Sequence, residues 1–310
     1  MKIFLTSVLL MLCWCSAVSA QTVSTGTENS QMRCETIIKD CQQALSAKHS
    51  RKDRYDVLMK LARTYADMRN YEKAIETGQE AITLFPKKDA AHLLVAQVYQ
   101  QSELYELSRQ EYLTVLRYDR KSFNAYFSIG QLYMQQGLMT RAMEYFRKAI
   151  VIKPTTELYR EMSRCAENAS DLGLSISLLQ KALYHEERYD DLVHLGKLYE
   201  ETKNYDASEK ILSQAIKLSP ERIEGYLNVG LLYLRNNDLS HAEHFLRIAL
   251  EKAPEEGSIH FFLAVISFHQ GKMGEALREN AEAKWLSRSD VLTAYTYKFD
   301  HLLTAAAKKQ

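Results

Sequence analysis

Small and apolar residues return along this chain at a fixed interval. Small side chains stand at Ala62, Ala96, Gly130, Ser163, Gly196, Gly230 and Ala264. Three positions after each come Tyr65, Tyr99, Tyr133, Ala166, Tyr199, Tyr233 and Ser267. A second small set follows at Ala74, Ser108, Ala142, Ser175, Ser208, Ala242 and Ala276, and a third at Ala81, Val115, Ala149, Ala182, Ala215, Ala249 and Ala283. Every proline of the protein, Pro86, Pro154, Pro220 and Pro254, falls five residues after a member of the third set. The period is 34 residues, with two gaps of 33. Short polar stretches separate the first two sets, as in "QQGL" at 135–138 and "RNND" at 235–238. The pattern predicts two helices per period. Small residues on the first helix let the second approach closely, and those on the second admit the next period. The tyrosine fills the space between, with its hydroxyl near the surface. Proline marks the link, because it cannot continue a helix.

This spacing resembles the tetratricopeptide repeat, a 34-residue helix–turn–helix unit. The resemblance covers residues 55–288 as seven repeats, best in those starting near Phe123 and Ile223. It implies an all-α fold, a right-handed superhelical solenoid of antiparallel helix pairs, each burying its faces only against its neighbours. Residues 21–54 read as a polar N-terminal segment and capping helix, with 21–31 ("QTVSTGTENSQ") unstructured. Residues 289–310 read as a C-terminal capping helix, amphipathic through Leu292, Tyr295, Phe299 and Leu302-Leu303. The fourth repeat departs from the pattern. Ala166 replaces the tyrosine, Glu187 replaces the proline, and both 33-residue gaps flank it. The shortening falls in the links, and either a local change of twist or a merely drifted repeat would account for it.

Composition narrows the class. With 11 glycines and 4 prolines in 310 residues, the chain is poor in turn residues, as helices joined by short links require. Lys plus Arg (40) nearly balances Asp plus Glu (39), which argues against a nucleic-acid partner. The opening "MKIFLTSVLLMLCWCSAVSA" has a basic start, an apolar stretch and small residues before position 20. It reads as a secretory signal over 1–20, giving a periplasmic or secreted protein without stable membrane insertion after cleavage. Cys34, Cys41 and Cys165 would remain, and two cysteines seven apart on a helix are too far apart for a disulfide.

No catalytic constellation emerges. His241 and His244 stand three apart, but no further ligand completes a metal site, so no metal or cofactor is expected. Acidic pairs such as Glu186-Glu187 and Asp190-Asp191 read as solvated surface, and the chain is read as a non-enzyme. Asn168-Ala169-Ser170 is a glycosylation sequon with meaning only in a eukaryotic host.

The resemblance instead implies a concave groove, lined by the second, fifth, ninth and twelfth positions of each first helix. In the second and third repeats these are Leu93, Gln97, Gln100, Phe127, Gln131 and Met134. The fourth and fifth repeats carry charges of both signs, from Glu157 and Arg160 to Lys197 and Glu200. The sixth and seventh offer Leu227, Leu231, Leu234, Phe261, Val265 and Phe268, an apolar set that would form an exposed patch. Either that patch docks a partner, or the C-terminal helix or a second copy of the chain covers it. The family's peptide-carboxylate clamp needs Lys and Asn at matching positions of adjacent repeats, a set not seen here. The expectation is a scaffold that recruits protein partners in the cell envelope, as a peptide or helix in the groove, through Phe127, Gln131, Met134, Leu227, Leu231, Leu234, Phe261 and Phe268. The alternative is an accessory subunit of an envelope polysaccharide or secretion enzyme complex, binding enzyme or glycan. Self-association through the apolar patch is a third possibility.

Overall fold

The computed structural model describes residues 25–47 and 50–307, so the expected signal at 1–20 lies outside the described residues. Sixteen α-helices and no strand are found among them. They are α1 (Thr25–Ser46), α2 (Arg51–Asp67), α3 (Tyr71–Leu84), α4 (Asp89–Gln101), α5 (Tyr105–Tyr118), α6 (Phe123–Gln135), α7 (Met139–Ile152) and α8 (Thr156–Asn168). There follow α9 (Leu172–His185), α10 (Tyr189–Glu201), α11 (Tyr205–Leu218), α12 (Ile223–Arg235), α13 (Leu239–Lys252), α14 (Gly257–His269), α15 (Met273–Leu286) and α16 (Asp290–Ala307). Helix α1 begins at Thr25, inside the segment expected to be unstructured. The polar stretch of 25–31 is continuous with a helix whose later turns are anchored on α2, and propagation from a formed helix costs less than nucleation. The chain divides into two compact units at Ala182/Leu183, in the fourth repeat where the sequence pattern breaks.

The periodic positions have the roles their size predicts. All seven members of the second small set and all seven of the third are fully buried, whether alanine, serine or valine. The need for a small residue on the first helix is sharpest at Gly130 and Gly196. A Cβ on Gly130 would collide with the Phe146 ring, and one on Gly196 would lie 2.7 Å from Leu212. In the fourth and fifth repeats, where the second set supplies Ser175 and Ser208, the hydroxyl finds a buried partner. Ser208 donates to the Gly196 carbonyl at 2.8 Å.

The turn within each repeat is built the same way seven times. Arg69, Glu103, Gly137, Ser170, Lys203, Asn237 and Gly271 all have φ between 58° and 76°. In each case the next N–H reaches back to the carbonyl at the tyrosine position, as from Leu138 to Tyr133 at 2.8 Å and from Asp238 to Tyr233 at 2.9 Å. That is the six-to-one bond of a helix closed by a left-handed residue. The residue that donates it then starts the second helix. Asn70, Asn204 and Asp238 accept a backbone N–H with their side chains there. Only two of the seven left-handed positions hold glycine, so five carry the strain of a side chain in that region.

Links between repeats are fastened from the following helix. His92 of α4 has Nε2 2.9 Å from the Pro86 carbonyl and Nδ1 2.7 Å from Glu111 of α5. Five periods later, His260 of α14 sits 3.2 Å from the Pro254 carbonyl and 2.7 Å from Glu279 of α15. Tyr226 donates to the Pro220 carbonyl at 3.1 Å, with a phenol in place of the imidazole.

Candidate functional site

In the N-terminal unit, first helices α2, α4, α6 and α8 touch in succession and present their groove positions side by side. Leu93, Phe127 and Met134 are half-buried, Gln131 is partly exposed and Gln97 is exposed. Phe127 is held from both sides, stacked on Phe123 at 5.6 Å with 10° between planes and tilted on Phe146 at 5.8 Å. Gln100 is fixed in turn, taking the Tyr112 hydroxyl at 3.1 Å and giving its amide to Gln135 at 2.7 Å. Burial pushes the Tyr112 phenol up to about 12, so it remains a neutral donor. The result is a trough of rigid apolar faces alternating with amides. Amides can donate to and accept from an extended backbone.

The same groove face continues into the first repeat, whose residues the sequence reading did not single out. A cleft of about 440 Å³ opens there between α1, α2 and the start of α4. Ile37, Met59 and Ala90 give it apolar walls, while Lys60, Arg63 and Lys88 bring positive charge against Asp56 alone. Tyr55 also lines it. Its ring packs edge-on against Phe85 at 5.3 Å and carries the Lys88 ammonium 3.8 Å above it. Its hydroxyl is buried with no hydrogen-bond partner. Burial, and after it the Asp56 carboxylate, raise the Tyr55 phenol, against the opposing effect of Arg63.

In the C-terminal unit the expected exposed patch is absent. Leu231, Leu234, Phe261 and Val265 are buried in one apolar cluster with Leu292, Phe299 and Leu303 of α16, with Leu227 and Phe268 packed at its edge. Phe299 lies edge-on to both Phe261 and Phe268, each at 5.7 Å. Of the open alternatives, the C-terminal helix is the cover. The reason is register: α16 presents Leu292, Thr296, Phe299 and Leu303 as one buried face. Polar bonds hold it in place. Asn280 of α15 donates to the Thr296 carbonyl at 3.1 Å, and Lys284 pairs with Asp300 at 2.8 Å.

Two of the charged groove positions are paired within the protein. Asp190 meets Arg222 at 2.8 Å, and buried Glu200 meets Arg235 at 2.6 Å. Burial raises the Glu200 carboxyl, opposed chiefly by Arg235. Among the described residues no group of three His, Cys, Asp or Glu side chains is placed to hold a metal, and no helix is long and apolar enough to cross a membrane. Cys34, Cys41 and Cys165 are free thiols. Burial raises Cys41, and pushes Cys165 up to about 11.

Two family models, both described as tetratricopeptide repeat, match the chain, one at 93–156 and 227–284 and the other at 55–88 and 192–222. The chain is 25% identical over 191 residues to protein O-mannosyl-transferase Tmtc3 of Drosophila melanogaster, across 61% of this chain and 20% of that protein. It is 20% identical over 254 residues to the BBSome complex member BBS4 of Bos taurus, across 81% of this chain and 49% of that protein. The chain thus spans about a fifth to a half of the length of these relatives. Among solved structures, the C-terminal part of a TPR repeat-containing protein from Cytophaga hutchinsonii superimposes with a TM-score of 0.66 at 16% identity, over 76% of this chain and 98% of that one. YrrB, a TPR protein with an unusual peptide-binding site, gives a TM-score of 0.52 at 17% identity, over 64% of this chain and 99% of its own. At such identities these structures speak to the fold alone.

Proposed function

Since the chain belongs to the tetratricopeptide-repeat family, we propose that it is a scaffold without catalysis of its own, exported to the periplasm or secreted, that holds a protein partner in the groove of its N-terminal unit. The observation that carries this reading is the unequal state of the two apolar groove sets. Leu93, Phe127 and Met134 remain partly exposed beside Gln97 and Gln131, whereas Leu231, Leu234 and Phe261 are buried by α16. An extended segment laid along α4 and α6 would cover the first set and satisfy its backbone on the amides. Export rests on the composition of the first twenty residues.

The test is capture from the native envelope with the wild-type chain and with Phe127→Asp combined with Met134→Asp. Both side chains are half-buried on α6, so the capture is run at a temperature where circular dichroism shows the double variant folded. The reading expects the specific partner to be lost from the double variant. Equal recovery by both chains overturns it.

A further inference from the structure

We propose that the edge of the N-terminal unit formed by its inter-repeat links docks on an anionic lipid membrane, peripherally and without insertion. Three such links fall in that unit, 85–88 between α3 and α4, 119–122 between α5 and α6, and 153–155 between α7 and α8. They carry Lys87, Lys88, Arg120, Lys121 and Lys153 against one carboxylate, Asp119. Lys87, Arg120, Lys121 and Lys153 are exposed, and among the described residues none of them forms an ion pair, so the fold does not neutralise their charge. The links are neighbours in space. The Tyr118 ring at the end of α5 lies 6.3 Å from His92 at the start of α4, and Lys148 of α7 lies 5.9 Å from the Tyr126 ring at the start of α6. Apolar side chains stand among the cations, with Tyr118 50% exposed, Val151 85% and Ile152 37%.

The links of the C-terminal unit carry the opposite balance, Glu186, Glu187, Glu221, Glu255 and Glu256 against Arg188, Arg222 and Arg288. There Arg222 pairs with Asp190 and Arg288 with Glu255. Tyr184 and Trp285 are exposed in the register of Val151, so apolar exposure is common to both edges and positive charge is not. Cations near the ends of second helices also suit the helix dipole, but that pull is the same in both units and leaves the asymmetry unexplained. Long basic side chains beside exposed aliphatic and aromatic groups suit mobile anionic headgroups over an acyl layer. The charges sit at headgroup level and the apolar groups reach below it. A soluble acidic polymer would give Val151 nothing to bury against. The inference goes beyond the groove reading, because the links close the ends of the hairpins while the trough runs along the sides of the first helices.

The test is vesicle flotation with the mature chain, 21–310, which lacks the apolar opening stretch. Vesicles of phosphatidylcholine and phosphatidylglycerol in equal parts should bind it, and vesicles of phosphatidylcholine alone should not. Binding should fall at least about tenfold between about 0.1 M and about 1 M salt. Lys87→Glu with Lys121→Glu and Lys153→Glu, one change in each link, should weaken it about a hundredfold. The control triple Lys39→Glu, Lys210→Glu and Arg278→Glu makes the same change in net charge at exposed positions on helix faces and should stay within about threefold of the wild type. All six side chains are exposed, and unchanged circular dichroism melts confirm that both triples fold. Tyr118→Ser with Val151→Ser should weaken binding about tenfold by removing apolar contact with the acyl layer. Equal binding to neutral and anionic vesicles overturns the proposal, as does retention by the link triple or an equal loss in the control triple. Heparin binding without vesicle binding overturns the lipid assignment. The groove variant Phe127→Asp with Met134→Asp should float as the wild type does, so the membrane inference and the groove reading fail separately.

Discussion

The two units carry the same repeat and differ in what lies over it. In the C-terminal unit the groove positions of the sixth and seventh repeats are leucine, valine and phenylalanine, and α16 seals them into a core with Phe299 at its centre. In the N-terminal unit the equivalent positions mix apolar and amide side chains, α1 packs through Cys41 on Leu61 and Tyr65, and a charged cleft stays open beside it. A groove position is therefore not a binding residue by virtue of its register. Its role is set by whether the chain's own terminal helix reaches it.

The comparison breaks most decisively at α16. Phe299→Ala should destabilise by about 3–5 kcal/mol, as for a buried aromatic, whereas Phe127→Ala in the open trough should cost about 1–2 kcal/mol. Urea unfolding of both variants checks the contrast, and equal losses would mean that the two grooves are equally covered. Next in size is helix approach. Gly130→Ala forces a methyl into the Phe146 ring and should cost about 1–3 kcal/mol, measured by the same unfolding curves. Gly196→Ala meets Leu212 Cγ and Cδ2 at 2.7 Å, a longer approach than the Phe146 ring allows at Gly130, and should cost less.

The histidine clips sharpen the comparison, because both units have one. At His92 both ring nitrogens face acceptors, Glu111 and the Pro86 carbonyl, with Asp89 nearby and the Tyr118 ring at 6.3 Å. The hydrogen bond to Glu111 leads in raising the imidazole, against burial. A raised folded value means that the clip's stability is fully present below about pH 6.5, the unfolded value, and is lost as pH rises through the folded one. Midpoints measured across that range should fall for the wild type and stay flatter for His92→Gln, by about 1 kcal/mol. An unchanged slope in the variant would assign the pH dependence elsewhere. Smallest is the turn. Glu103 has φ 61° without being glycine, so Glu103→Gly should stabilise by about 0.5–1 kcal/mol, read as a raised thermal midpoint. The same change at Lys203, φ 60°, tests whether the C-terminal unit responds alike.

Much of this architecture could be read from the chain. The small sets, the prolines and the shortened links around the fourth repeat mark positions where packing leaves no choice of size, so the pattern survives in the letters. The left-handed turn position was visible only where Gly137, Gly271 or Asn237 occupies it. Arg69, Glu103, Ser170 and Lys203 adopt the same backbone because the six-to-one bond and the following cap enforce it, and nothing in those residue types signals it. The cover over Phe261 was one of the open alternatives, since amphipathicity shows that α16 has an apolar face but not where it lands. The cleft was missed because Lys60, Arg63 and Lys88 look like ordinary surface charges. Their meaning comes from α1, a helix outside the period.

The fully buried small positions have a wider consequence. They tie the skeleton to a handful of sites per repeat and leave the residues along the trough free of that duty. Such a chain can exchange one docked segment for another by rewriting its inner lining, with the frame beneath untouched. Half of it can keep a segment of its own while the other half stays vacant for a guest.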